Sequence, residues 1–365
     1  MRATPLSDRT STVSFALIEE YEILLNSVRA FAGEKLRPNL RASEADRGVS
    51  GEVRIAFNGL GLDMLQLPEA LGGAALGMQA RVLVNRELAK ADAGAALALD
   101  RIGAALFVLD AFGGQEALER FVLPVLSSPE KRVALVLEDD CTLDFDDGRI
   151  KATLPWVPSE TADLVVGLGS DRAWAMDTGI AFLPIRGAGL RAAGAAELQL
   201  EGPLTATWSS RDAASDALAK IRLYIASLLA GVLYDAVEFS RAYGMERVVF
   251  GRPVAHHQAM AFLMVDMHTA IERAWLLIEE AACRMDFGEA AHAEAAAAFV
   301  EAVEASRFIG PNAVQILGGH GFMADFPMEK AMRESRALGL LAGGVDRARE
   351  DAAARLLQQR LETGN

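Results

Sequence analysis

The chain has 365 residues, 52% of them apolar, and 36 basic against 50 acidic side chains give a formal net charge of −14. So much apolar material supplies a large core and excludes a mostly disordered chain, while an acidic excess without a Lys/Arg cluster argues against nucleic-acid binding. Cys141 and Cys283, far apart and in no metal-ligand spacing, argue against a disulfide scaffold and a structural zinc site, so no metal is expected.

The first eight residues lack the apolar segment of a signal peptide. The longest apolar run, Leu223 to Tyr234, is shorter than the about 20 residues a membrane span needs. A cytoplasmic location without a membrane span is expected. Leu17, Tyr21, Leu24, Val28 and Phe31 follow one another at spacings of four, three, four and three, which predicts a helix over 15–34 stopped at Pro38. A second helix covers 51–60, and Gly59 to Gly73 reads as a loop. Helical patterns return at 78–91 and 95–112, with a short amphipathic piece at 116–126.

Between about 132 and 207 the texture changes. Val133–Leu137, Leu164–Leu168, Ala173–Met176, Ile180–Ile185 and Leu198–Leu200 are short β-favouring runs spaced as in an antiparallel sheet domain. Long Ala/Leu/Glu-rich helices follow over 213–246, 256–286, 289–316 and 346–361. The expected class is α+β: an N-terminal helical domain over 1–130, a middle β domain over 131–210 and a C-terminal four-helix bundle over 211–365. No dinucleotide glycine fingerprint follows a strand, so a Rossmann domain is not expected. Gln315 to Phe322 carries three glycines in four positions. On spacing alone Gly318 or Gly319 fits a helix C-cap, and the competing reading is a backbone platform for a flat or phosphorylated ligand.

The three-part order, together with Arg247, Phe250, Gly251, His257 and Gln258, resembles the acyl-CoA dehydrogenases. So do Val265-Asp266-Met267, Gln315 to Phe322 and Phe326-Pro327-Met328-Glu329-Lys330. The resemblance implies FAD lying across a subunit interface, acyl-CoA as substrate and an electron-transferring flavoprotein as electron acceptor. It further implies that Arg247, Phe250, Gln258, Gln315, Gly318 and Gly319 hold the diphosphate and adenosine of a neighbouring subunit's FAD. Their chemistry suits that role, with a permanent cation carrying a fork of donors, an apolar ring, two side-chain amides and two residues without Cβ.

Two departures from the family pattern stand out. Where the family presents a carboxylate base in a Tyr-Glu-Gly-Thr stretch, this chain has Ala342, and the alternative base position on an earlier helix is Ile221. Asp346 would need a shifted loop to substitute and reads instead as an N-cap of the last helix. The flavin-side segments are altered as well: Glu138-Asp139-Asp140 reads as a solvated acidic turn, and Leu154 to Ser159 carries two prolines that remove ladder donors. The expected function is FAD-linked α,β-dehydrogenation of an acyl-CoA, with this chain as the base-lacking subunit of a heteromer whose homologous partner carries the base. A bulky fatty-acid or steroid side chain is the expected acyl class. The alternatives are a flavin monooxygenase of the same fold and a flavin-free binding subunit.

Overall fold

A computed structural model describes residues 19–140, 142–146 and 148–363. The N-terminal segment read for a signal peptide, Leu17 and Cys141 lie outside the described residues. Helix α1 (Glu19–Phe31) buries Val28 and Phe31 of the predicted stripe, leaves Tyr21 and Leu24 half-buried, and buries Leu25, which the spacing does not include. The chain does not stop at Pro38. A π-helical turn over Ala32–Leu36 leads into a 3₁₀ turn that holds Pro38 near its start, where a missing N–H costs nothing, and then into α2 (Leu40–Asp46). Helix α3 (Gly51–Gly59) begins at Ser50, whose hydroxyl accepts from the Val53 amide at 3.4 Å.

Helix α4 (Met78–Leu99) crosses the gap that the sequence places at 92–94. Asp92 leaves helical geometry (φ −164°, ψ 108°), and its Oδ1 accepts the Ala95 amide at 3.1 Å, so it caps a second helical segment as a continuation of the first. Helix α5 (Ala105–Ala117) and α6 (Leu123–Leu126) complete the first helical unit.

Two four-stranded sheets follow. Strands β1 (Val133–Leu137), β4 (Leu164–Leu168), β5 (Arg172–Met176) and β8 (Ala206–Ser209) form one sheet in the order β1-β4-β5-β8. The other has the order β2-β3-β7-β6, built from β2 (Thr142–Asp146), β3 (Arg149–Val157), β6 (Ile180–Pro184) and β7 (Ala196–Pro203). The β1–β4 pair is parallel, because β2 and β3 in the other sheet form the crossover between them; the remaining sheet pairs are antiparallel. A small core of Val136, Ile150, Leu154, Val165, Trp174, Met176 and Leu198 lies between the sheets. Pro155 is accommodated because the β3–β7 register shifts between Leu154 and Val157.

The C-terminal unit starts with α7 (Arg211–Glu246), capped by Ser210 on the Ala213 amide at 3.2 Å. A hairpin of β9 (Val248–Val249) and β10 (Arg252–Pro253) leads to α8 (Gln258–Asp286) and α9 (His292–Leu317). Helices α10 (Met328–Leu338) and α11 (Gly344–Thr363) close it, so α10 is added to the four helices expected. By length and composition α7 could cross a membrane, but 83% of its apolar window is buried inside the chain, as in a core helix. One continuous apolar core joins α4, α7, α8 and α9. Within it the Lys330 ammonium donates to Asp92 (2.9 Å) and to Glu334, which ties α10 to the interruption in α4.

Candidate functional site: two cavities with opposite chemistry

The first cavity, about 570 Å³, forms where α7 ends and α9 ends. Helix α7 stops when Arg247 turns to extended geometry, and the β9–β10 hairpin reverses through Phe250 (φ 53°) and Gly251 (φ 79°). A left-handed conformation in a bulky residue costs about 1–2 kcal/mol, and Phe250 adopts it while 93% exposed. Such strain without burial marks a ring held out for something else to cover. Helix α9 stops at Leu317. Gly318 (φ 60°, ψ −133°) donates its amide to the Gln315 carbonyl, so the C-cap reading holds for it.

Arg247, Phe250, Gln315, Gly318 and Gly319 all line this cavity. A Cβ on Gly318 or Gly319 would meet nothing within 4 Å, whereas one on Gly321 would lie 2.3 Å from the Val314 carbonyl oxygen. Packing therefore explains Gly321 but not Gly319, whose bare backbone opens on the cavity. The Arg247 guanidinium is exposed and forms no ion pair among the described residues. Gln258 is exposed at the start of α8 and does not line the cavity. Its neighbour His257 does, with Nε2 3.0 Å from the Val249 carbonyl oxygen; one step along a helix then turns Gln258 by about 100°. Tyr243 and His320 also line the wall and belong to no reading made from the sequence; the only sequence signal for His320 is its place between two glycines.

The second cavity, about 300 Å³, lies between α7, β1, β3 and the loop before α11. Ala342 (5% exposed) and Ile221 (2%) both line it, so the two positions at which the family would place its base converge on one space, and both are apolar. Asp100 accepts from Arg81 (3.1 Å), the Tyr224 hydroxyl (2.9 Å) and the Gly103 amide (2.9 Å). Burial and the Asp100 charge hold the Tyr224 phenol well above its usual value. Burial and then Arg54 draw the Arg132 guanidinium down to about 10, and it donates to the Ala98 carbonyl at 2.6 Å.

Asp346 is not in this wall. It lies exposed in the first turn of α11, 3.3 Å from Arg349, and is not the N-cap expected, because the helix already begins at Gly344. The acidic turn is only partly a solvated one. Glu138 accepts from Arg172 at 2.9 and 3.0 Å and from the Trp174 indole at 2.9 Å, which anchors it to the sheet. Asp139 pairs with Arg347 at 3.2 Å. Asp140 lines the cavity mouth, open to solvent on one side, and burial followed by the Asp139 charge pushes its carboxyl up to about 6.

Next to the second cavity, on the other side of α7, a space of about 570 Å³ is lined by Arg222, Arg347 and His292. Arg222 is 2% exposed, donates to Asp351 at 2.5 Å and leaves its Nε without a partner.

The donor set of the first cavity fits the nucleotide end of FAD: a fixed cation, an amide, an exposed ring and unshielded backbone. The second cavity is lined by Trp156 and by strand β3 at its bulge.

The N-terminal domain of the acyl-CoA dehydrogenases matches residues 18–129, and the C-terminal domain matches residues 211–357. The chain is 27% identical to the human mitochondrial short-chain specific acyl-CoA dehydrogenase over 94% of its length and 92% of the relative's. Its fold is similar to that of butyryl-CoA dehydrogenase from Megasphaera elsdenii, with a TM-score of 0.82 at 22% identity, covering 94% of this chain and 100% of the other. It is likewise similar to a variant of the Tcur3481-Tcur3483 steroid ACAD, with a TM-score of 0.81 at 22% identity over 94% and 99%. Two domain matches that together span 18–129 and 211–357, relatives aligned almost end to end and a shared three-part fold give one conclusion: the chain belongs to the acyl-CoA dehydrogenase family, flavoproteins that use FAD to dehydrogenate acyl-CoA thioesters.

Proposed function

We propose that this chain is the base-lacking subunit of a heteromeric, cytoplasmic acyl-CoA dehydrogenase and completes an FAD site whose catalytic carboxylate stands in a homologous partner. One observation carries the reading: the cavity around Arg247 keeps unpaired donors, while the cavity at Ala342 and Ile221 has no acceptor at either base position. Arg247 would hold the diphosphate, Gln315, Gly318 and Gly319 would border the adenosine, and Phe250 would cover it, with Gln258 outside this shell. FAD, once bound, accepts hydride from the acyl Cβ while a carboxylate removes the α-proton. The space beside Arg222 and Arg347 suits the anionic part of a CoA thioester, and the similarity to a steroid ACAD favours a bulky acyl group. Reoxidation would fall to an electron-transferring flavoprotein.

The test is purification of the protein alone and together with a homologous partner. Expected are little flavin absorbance for the chain alone and both flavin and acyl-CoA oxidation for the pair. Stoichiometric FAD and unaided oxidation by the chain alone would overturn the reading.

A second reading rests on Asp140. It is a carboxylate at the mouth of the cavity that contains Ala342, poised near neutrality, and forms no ion pair among the described residues. If the isolated chain oxidises an acyl-CoA and Asp140→Asn abolishes this at unchanged KM, Asp140 is the base and the heteromer is unnecessary.

A further inference from the structure

Tyr243 and His320 form a unit in the wall of the first cavity that the family reading does not use. The Tyr243 hydroxyl lies 2.8 Å from His320 Nδ1 and 3.4 Å from the Leu317 carbonyl oxygen, so the nitrogen is the nearer partner. The hydroxyl has a single proton, which goes to the nearer acceptor, so Tyr243 donates and Nδ1 accepts. In a neutral imidazole the proton then sits on Nε2. The ring has little freedom to turn away. It stacks on Phe326 at 4.8 Å and 8° between planes, while Tyr243 meets both rings edge-on at 5.9 and 6.0 Å.

His320 Nε2 makes no hydrogen bond among the described residues, and the side chain is half-buried beside Arg247, Gln315, Gly318 and Gly319. A fixed N–H donor without a partner, next to an unpaired guanidinium, is set up to receive an oxyanion. We propose that His320, positioned by Tyr243 and Phe326, donates from Nε2 to a diphosphate oxygen of the nucleotide bound in this cavity. Tyr243 acts through the ring: it fixes which nitrogen carries the proton and does not itself touch the ligand. The inference rests on the reading of this cavity as the nucleotide end of an FAD site.

The test uses the full-length protein co-purified with its homologous partner, stripped of nucleotide and titrated separately with FAD, ADP, coenzyme A and riboflavin. Thermal melting confirms that each variant is folded. His320→Ala is expected to weaken ADP and FAD about tenfold, the size of one hydrogen bond to a charged group. His320→Gln, whose amide restores a donor near the Nε2 position, should recover most of that loss. Tyr243→Phe should weaken binding about threefold and shift the His320 ¹⁵N resonances toward a mixture of tautomers, a readout that a merely structural tyrosine would not move. Riboflavin should be indifferent to all three variants, and coenzyme A binding that responds like ADP would identify the thioester's own nucleotide as the occupant. If Arg247→Ala loses ADP while His320→Ala binds it as the parent does, the His320 assignment is overturned and the cavity reading stands. If neither change alters ADP binding, both fall together.

Discussion

Both cavities are bordered by α7, yet they treat their polar groups differently. Around Arg247 the guanidinium and the side-chain amide face outward and have no partner among the described residues. Around Ala342 most charged groups are consumed internally, Asp100 by Arg81 and Tyr224, Asp139 by Arg347, and Glu138 by Arg172 and Trp174, while Asp140 at the mouth forms no ion pair among the described residues. Unpaired donors on a surface await a ligand, whereas a closed network stabilises the chain that contains it. A site is therefore better recognised by the groups a fold leaves unsatisfied than by the number of charges near a cavity.

The largest effect should come from breaking the closed side. Arg81→Ala strands Asp100 in a buried setting and should cost about 3–5 kcal/mol of stability, read by chemical denaturation. FAD content of the co-purified pair should be unchanged, and a loss of FAD would blur the distinction between the cavities. Arg247→Ala should do the reverse. It is expected to weaken FAD by about 1.5–3 kcal/mol, read by equilibrium titration, with stability within about 0.5 kcal/mol because the side chain is exposed.

The buried Lys330–Asp92–Glu334 cluster gives a pH test of the closed side. Burial raises the Glu334 carboxyl from an ordinary 4.5 to about 7. The folded chain thus holds a proton that the unfolded chain has released between those values, and stability should fall as pH rises across that window. Glu334→Gln cannot titrate, so its melting temperature should be flatter between pH 5 and 7 than the parent's. The smallest effect belongs to Gly319→Ala. Nothing in the chain obstructs the new methyl, so melting should barely change, while FAD affinity should fall a few-fold if the backbone is a contact surface.

Much of the fold was legible because its signals are periodic. The apolar stripe of α1, the strands β1 and β4 and the three long helices α7, α8 and α9 follow from spacing alone. Strand β3 was equally periodic, with Ile150, Ala152 and Leu154 buried and their neighbours exposed, but Pro155 within it and Pro158 just beyond it obscured the strand, and the bulge that admits Pro155 is a tertiary feature. The break in α4 was visible, but its repair by Asp92 was not, since the capping carboxylate also answers to Lys330, 238 residues away. Five of the six residues expected to hold the nucleotide line one cavity, because motifs at helix ends translate directly into place. Gln258 departs because one residue of helical phase decides its direction. Tyr243 and His320 could not be paired from sequence, as 77 residues separate them and only the fold brings the hydroxyl to the ring nitrogen.

The chain's four tryptophans are unequally placed, and this gives an optical consequence. Trp174 is buried beneath Gly167, Trp208 rests edge-on against Phe121, and Trp275 is covered by the Arg86 guanidinium. Trp156 alone lines the inner cavity, and none of the four borders the cavity around Arg247. Intrinsic emission is therefore a built-in reporter that tells the two compartments apart. An acyl-CoA that enters the inner space should change the emission, Trp156→Phe should silence the response, and ADP at the outer cavity should leave it dark.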